Sequence, residues 1–341
     1  MSLLAISNLK KRFNLEAGFF ARYGRFVNAV NDVSFSICAN EAYGLVGESG
    51  CGKTTTARLL VRMCEADNGE ILYSGAGGAK AEASPQNVCA LGTDELRLYR
   101  EKVRYVFQDP ARSLNPRMNV YEVLVSGCRA PLKKRGVGEQ ELREKAAGIL
   151  WETGLAAADL EKRPSEFSGG QRQRISIARG LLMEPQLLIC DEVVSALDVS
   201  IQGQILNLLL DIREKRGMSF LFIAHDLKVA CYFCDRIGVM YNGELMEEAS
   251  ASQLYNEALH PYTQLLFSSA TGKTPKKTFS GAGTHSTQQK SPRPEGRLSS
   301  PVSGAGCTFA PRCTKAGQRC WQEHPEITEA GPGHFIRCFF P

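Results

Sequence analysis

Residues 42–55 read Ala-Tyr-Gly-Leu-Val-Gly-Glu-Ser-Gly-Cys-Gly-Lys-Thr-Thr, and this stretch decides the fold class. Ala42-Tyr43-Gly44-Leu45-Val46 is a short apolar strand, and Thr56-Ala57-Arg58-Leu59-Leu60-Val61-Arg62 follows with helix-compatible periodicity. The spacing Gly47-x-x-x-x-Gly52-Lys53-Thr54 between them is the strand–loop–helix arrangement of a P-loop. Glycines let the backbone curl so that successive N–H groups face phosphate oxygens at a helix N-terminus. Gly47, Ser49, Gly50, Cys51, Gly52 and Thr55 frame that cradle. Lys53 is expected to reach the β and γ phosphates of a nucleotide, and the Thr54 hydroxyl to ligand Mg2+. A chance Gly-rich turn would lack the matching strand and helix on its flanks.

A second apolar run, Gln186-Leu187-Leu188-Ile189-Cys190, ends in Asp191-Glu192. Ligands of a parallel α/β sheet gather at the carboxyl ends of its strands. Asp191 is therefore predicted to hold Mg2+ and Glu192 to aim at a water. Alone, such a pair could simply begin a solvated loop, and its weight comes from the P-loop beside it. Between the two motifs lies Phe167-Ser168-Gly169-Gly170-Gln171, leading into Arg172-Gln173-Arg174-Ile175-Ser176. A Ser-Gly-Gly turn opening a helix offers free N–H groups and a hydroxyl to an anion, though a plain helix cap uses the same residues.

The ordered series resembles the ATP-binding cassette family across nearly all of residues 1–270. It comprises the P-loop at 47–54, Gln108 in Val106-Phe107-Gln108-Asp109-Pro110, Ser-Gly-Gly-Gln at 168–171 and the acidic pair 191–192. Ser195-Ala196-Leu197-Asp198 follows, and then His225 after the apolar run 219–224. The resemblance implies an α/β P-loop NTPase cassette with a RecA-like core, an antiparallel β subdomain and a helical subdomain. It implies that Glu192 polarises the attacking water and that His225 contacts the γ-phosphate and the catalytic carboxylate. Gln108 is implied to sense Mg2+ and water, and Asp198 to couple two sites across a dimer. Phe13 is implied to stack on adenine, with Phe19, Phe20, Tyr23 and Phe26 as competitors and a plain core role as the alternative. In the family, Ser-Gly-Gly-Gln binds the γ-phosphate of ATP held by the opposite subunit. With one P-loop and one such signature, Ser168, Gly169, Gly170 and Gln171 are expected to complete a neighbour's site in a head-to-tail dimer. Val193 departs from the Pro that many cassettes carry after the glutamate, at a position that does no chemistry.

Three stretches narrow the resemblance to the oligopeptide/dipeptide/nickel importer branch. They are residues 107–117 (FQDPARSLNPR), residues 191–202 (DEVVSALDVSIQ) and His260-Pro261-Tyr262-Thr263. Such importers imply two permease subunits met near Gln108, a paralogous second ATPase and an extracytoplasmic solute-binding protein. A peripheral seat on the cytoplasmic face of the membrane follows. Dipeptides, longer peptides, nickel and metallophores all remain open as cargo.

Charge and cysteine placement organise the rest. The 341 residues carry 41 basic and 36 acidic side chains, a net of +5. Residues 271–304, rich in Ser, Thr, Gly and Pro, hold six basic residues against Glu295, so the tether they form accounts for nearly all of that charge. Residues 1–270 are near neutral, which removes the basic face expected of a nucleic-acid binder. A rival reading, a soluble cassette acting on DNA or the ribosome, usually needs two cassettes or a long coiled-coil insertion. Residues 55–167 contain neither. No apolar run of about eighteen residues spans a membrane, and the N-terminus lacks a secretory pattern.

Of twelve cysteines, Cys307, Cys313, Cys320 and Cys338 crowd into the last 35 residues, within a third region, 305–341. Their gaps exceed the two to four residues usual within zinc knuckles. Four thiolates can instead hold an iron–sulfur cluster, with zinc or plain reduced thiols as alternatives. The tail resembles the Cys-rich extension of several peptide-importer ATPases, which implies a [4Fe–4S] cluster. Too short to build its own core, the tail is expected to need a metal as a staple. A further reading makes it a redox or metal sensor. Cys231-x-x-Cys234 stands on a predicted helix with no second pair nearby and reads as buried thiols. Cys51, at a helix N-terminus, reads as reactive.

Overall fold

The computed structural model describes residues 2–14, 26–75, 85–271 and 306–341. The tether beyond residue 271 and three of the competing aromatics, Phe19, Phe20 and Tyr23, lie outside the described residues.

Two sheets carry the fold. A four-stranded antiparallel sheet pairs β1 (Ser2–Asn14), β2 (Phe26–Cys38), β4 (Asn68–Tyr73) and β5 (Gln86–Asn87) in the order β2-β1-β4-β5. The larger sheet is built on β3 (Ala42–Val46), β6 (Val103–Val106), β7 (Leu187–Asp191), β8 (Ser219–Ala224), β9 (Arg236–Tyr241) and β10 (Glu244–Ser250). It continues through β11 (Thr328–Gly331) and β12 (His334–Ile336), giving the order β11-β12-β10-β9-β3-β8-β7-β6. The five strands β9, β3, β8, β7 and β6 run parallel. β3, β7 and β8 are buried along their whole length, as a parallel sheet covered on both faces requires.

Because side chains alternate along a strand, these strands feed two cores. Val46, Cys190 and Phe222 face one, while Leu45, Ile189 and Ile223 face the other. Helix α1 (Lys53–Leu60) and the antiparallel sheet fill the second core. Helix α2 (Thr93–Lys102) leads into β6. Between β6 and β7 stand α3 (Pro110–Ser113), α4 (Val120–Val125), α5 (Arg129–Lys134), α6 (Glu139–Glu152) and α7 (Gly169–Leu181). Helices α4 to α7, with α8 (Val199–Arg216) and α9 (Leu227–Phe233), cover the first core. The layers are those the resemblance implies: a P-loop sheet, an antiparallel β layer and a helical group. Among the described residues no helix is long and apolar enough to cross a membrane.

After β10 come α10 (Ala251–Glu257) and α11 (Pro261–Thr271), and the tail adds α12 (Gln318–Gln322) before its hairpin. That hairpin extends the cassette's own sheet, since β12 pairs with β10 through Glu247↔Ile336 and Glu248↔Phe335. Two buried β10 carboxylates anchor the tail. Glu244 lies 3.1 Å from Thr308 Oγ1 and 3.0 Å from His324 Nε2, while Glu247 meets His334 Nε2 at 2.7 Å. Phe309 is buried among Tyr241 and Tyr262, with ring centroids 5.2 and 5.3 Å away. The tail thus draws its apolar core from the cassette, a source of order besides the metal staple expected from its length.

Candidate active site

The P-loop turns tightly between β3 and α1. At Gly52, φ is +110°, and a Cβ there would lie 2.1 Å from the Ala29 carbonyl oxygen. At Gly47 a Cβ would lie 2.2 Å from the Met240 oxygen, so the loop packs directly on β9. Any side chain at either position would push the phosphate cradle open.

Five sequence-predicted residues meet at the carboxyl ends of β3, β6 and β7. The Thr54 hydroxyl donates to Asp191 Oδ1 at 3.0 Å. Gln108 Nε2 donates to Glu192 Oε2 at 2.6 Å. Lys53, almost fully buried, donates to the Gly47 and Glu48 carbonyls at 2.8 and 3.0 Å and lies 3.8 Å from Glu192 Oε1. A buried ammonium with carbonyl and carboxylate partners is the cation a phosphate entering the loop would meet. Thr54 and Asp191 form an adjacent pair of hard oxygen donors, the chemistry Mg2+ prefers. Gln108 joins the site through Glu192 rather than through the Thr54–Asp191 pair.

Glu192 has φ +48°, in the left-handed region that costs a non-glycine residue about 1–3 kcal/mol. Its N–H donates to the Ile223 carbonyl at 3.1 Å, and its own carbonyl accepts from the Ser195 hydroxyl at 2.8 Å. Neighbouring Val193 is buried, so the departure from proline fills core.

The remaining predicted residues stand apart. Ser168 caps α7, accepting from Gln171 N at 3.3 Å, while the Gln171 side chain takes Ser168 N at 2.9 Å. Ser168 and Gln171 are exposed, and among the described residues neither they nor Gly169 and Gly170 hydrogen-bond the P-loop. Asp198 precedes α8, exposed and without a side-chain cap bond. His225 follows β8, also exposed. Phe13 is 41% exposed on β1, with Lys11 Nζ 5.6 Å from its ring centroid. Phe26 is exposed too, paired with Arg12.

The reactive character read for Cys51 is corrected. The thiol is buried, and burial raises its pKa more than nearby Lys53 lowers it. Cys234 is likewise buried and pushed up, as a packed thiol should be. Tyr105, which sequence reasoning missed, donates its hydroxyl to Asp191 Oδ2 at 2.6 Å. Burial and the adjacent Asp191 charge both raise the Tyr105 pKa, so it remains a donor. No sequence signal announces it, because its partner is brought near only by the pairing of β6 with β7.

In the tail, Cys307, Cys313, Cys320 and Cys338 line one small cavity with His260 and Phe309. All twelve cysteines are free thiols. Burial pushes the Cys307 thiol up, and neighbouring Cys320 and Cys338 add to the effect. The donor chemistry and shared cavity fit a soft metal or cluster, although among the described residues no three ligating groups are gathered tightly enough to hold an ion.

Comparison with known proteins agrees with this geometry. Residues 30–195 match the ABC transporter family model, and residues 246–320 match the oligopeptide/dipeptide transporter C-terminal region. The oligopeptide transport ATP-binding protein OppF of Haemophilus influenzae is 40% identical, covering 98% of this chain and 96% of that protein. The oligopeptide transport ATP-binding protein AppF of Bacillus subtilis is also 40% identical, over 99% of this chain and 97% of its own. Among solved structures, the dimeric, post-hydrolysis ATP-binding cassette MJ0796 bound to ADP and phosphate superposes with TM-score 0.59 at 26% identity. It covers 73% of this chain and 98% of its own. The cassette cbiO1 from Clostridium perfringens, at 23% identity and TM-score 0.61, shares the fold over 80% of this chain and 96% of its own. The chain belongs to the ATP-binding cassette transporter family, as an ATP-binding protein of the kind that carries the oligopeptide/dipeptide transporter C-terminal region.

Proposed function

We propose that this chain is the ATP-hydrolysing subunit of a peptide importer, working at the cytoplasmic face of the membrane with two permease subunits and a paralogous cassette. Residues 1–270 form its nucleotide-binding part and residues 305–341 its Cys-rich part, joined by the tether 271–304. The observation that carries the reading is the pair of contacts Thr54–Asp191 and Gln108–Glu192 around buried Lys53. Lys53 and the loop N–H groups bind the phosphates, and Thr54 and Asp191 hold Mg2+. When bound, that ion neutralises charge on the phosphate oxygens. Glu192 orients the attacking water and accepts its proton, while His225 steadies the γ-phosphate. Gln108 links this carboxylate to the permease side.

Phe13 stacks on the adenine. The exposed Ser168–Gln171 signature completes the neighbouring cassette's site, and exposed Asp198 communicates between the two. Peptide cargo, delivered by an extracytoplasmic solute-binding protein, is supported by the names of the relatives and by the matched C-terminal region. Purification of the tagged full chain from its native membranes tests this. Recovery with two permease subunits and a second ATPase is the expected result; recovery with ribosomes or DNA overturns it.

For the tail, the reading is a [4Fe–4S] cluster on Cys307, Cys313, Cys320 and Cys338, with zinc as the alternative. Once bound, such a cluster staples four points of the tail together. Anaerobic purification should give brown protein with about four iron and four sulfide ions per chain. Colourless, zinc-loaded protein would exclude the cluster.

A further inference from the structure

The Cys-rich tail touches the nucleotide loop directly. Arg312 stands immediately before Cys313, and its guanidinium grips Glu48 of the P-loop with two bonds, Nη1 to Oε2 at 2.7 Å and Nη2 to Oε1 at 2.8 Å. Glu48 is itself a junction. Its N–H donates to the Tyr262 hydroxyl at 2.9 Å, and its carbonyl accepts from Lys53 Nζ at 3.0 Å. The guanidinium carbon lies 5.5 Å from the Tyr241 ring centroid and 5.8 Å from that of Phe309, within reach of both π faces. Phe309 also lines the four-thiol cavity. Contacts therefore run without a break from that cavity through Phe309 and Arg312 to Glu48 and Lys53.

We propose that Arg312 is a positioning residue for the P-loop, and that through it the Cys-rich tail sets how tightly this chain holds MgATP. The proposal rests on the P-loop being the ATP site argued above. Arg312 acts through Glu48, whose backbone carries one of the oxygens that hold Lys53. Partly exposed ion pairs contribute little on average, but two-pronged geometry with aromatic neighbours lies at the upper end of the range. About a fivefold change in nucleotide affinity is expected, corresponding to about 1 kcal/mol. Linkage makes the effect reciprocal, so MgATP must steady the tail by the same factor.

The test uses full-length protein and a fluorescent ATP analogue with Mg2+. Arg312→Ala and Glu48→Gln should each weaken binding about fivefold, and Arg312→Lys should recover part of the loss. The double variant should be no worse than either single one, because both remove the same contact. Glu48→Gln changes no tail residue, so matching losses in the two single variants separate the lost contact from a fault in the tail's own folding. In hydrogen exchange, MgATP should slow the β11–β12 amides of the wild type but not those of Glu48→Gln. Unchanged affinity in both single variants, or additive losses in the double variant, overturns the coupling. Failure of the wild type to bind MgATP at all would instead sink the nucleotide-site reading itself.

Discussion

The two ends of the large sheet solve different problems. At the carboxyl ends of β3 and β7, polar residues are closed on one another around a loop that excludes side chains: Thr54 on Asp191, Gln108 on Glu192, Lys53 on loop carbonyls. At the β10–β12 edge, order comes from borrowed apolar packing around Phe309 and from two buried carboxylates that receive tail side chains. The first region is preorganised for a charged ligand, whereas the second is held by the cassette it decorates. The difference teaches that chemistry can be carried by contiguous motifs while the device that steadies it is recruited from 264 residues away, the separation between Glu48 and Arg312.

Substitutions in each region sharpen that contrast. The largest effect is expected for Glu192→Gln, which removes a proton acceptor while keeping shape and the Gln108 contact. Phosphate release should fall about 10²- to 10⁴-fold with MgATP still bound. Rapid-quench assays on the purified transporter check this, and wild-type turnover would remove Glu192 from the chemistry. Next is Phe309→Ala, which should cost about 3–5 kcal/mol as a buried ring is lost. Hydrogen exchange should show that loss confined to tail amides and α11, and a uniform loss across β3, β7 and β8 would contradict a locally borrowed core. Tyr105→Phe leaves one Asp191 oxygen without its donor and should cost about 1–3 kcal/mol. It is expected to appear as a higher Mg2+ requirement in ATP binding, and an unchanged Mg2+ titration would make Tyr105 mere packing.

The smallest effect concerns pH. Burial lowers the His260 pKa from 6.5 to about 4. The unfolded chain therefore takes up a proton on His260 at a higher pH than the folded chain does. The contribution of neutral His260 is complete above pH 6.5 and is lost as pH falls toward about 4. Tail melting should drift downward across that window in the wild type and less in His260→Gln.

Legibility in the sequence followed distance along the chain. The P-loop and the Ser168–Gln171 cap are each written within a dozen residues, because a phosphate cradle and a helix start are local backbone problems. The acidic pair at 191–192 needed the P-loop beside it for meaning, since the Thr54–Asp191 bond spans 137 residues. Tyr105 and Arg312 were not legible. Each acts through partners far away in the chain, with no periodicity or spacing to announce them. Cys51 misled because a helix N-terminus lowers a thiol pKa only where the sulfur stays accessible, and here burial wins. The tail's thiols were visible as a set, but its attachment depends on β12 finding β10, which the cysteine spacing does not encode.

The most direct test is titration of the full chain with ATP, with and without Mg2+, on the wild type and on Lys53→Ala. The account predicts saturable binding of one ATP per P-loop that tightens with Mg2+ and disappears in the variant. Binding that ignores both Mg2+ and Lys53→Ala would contradict it.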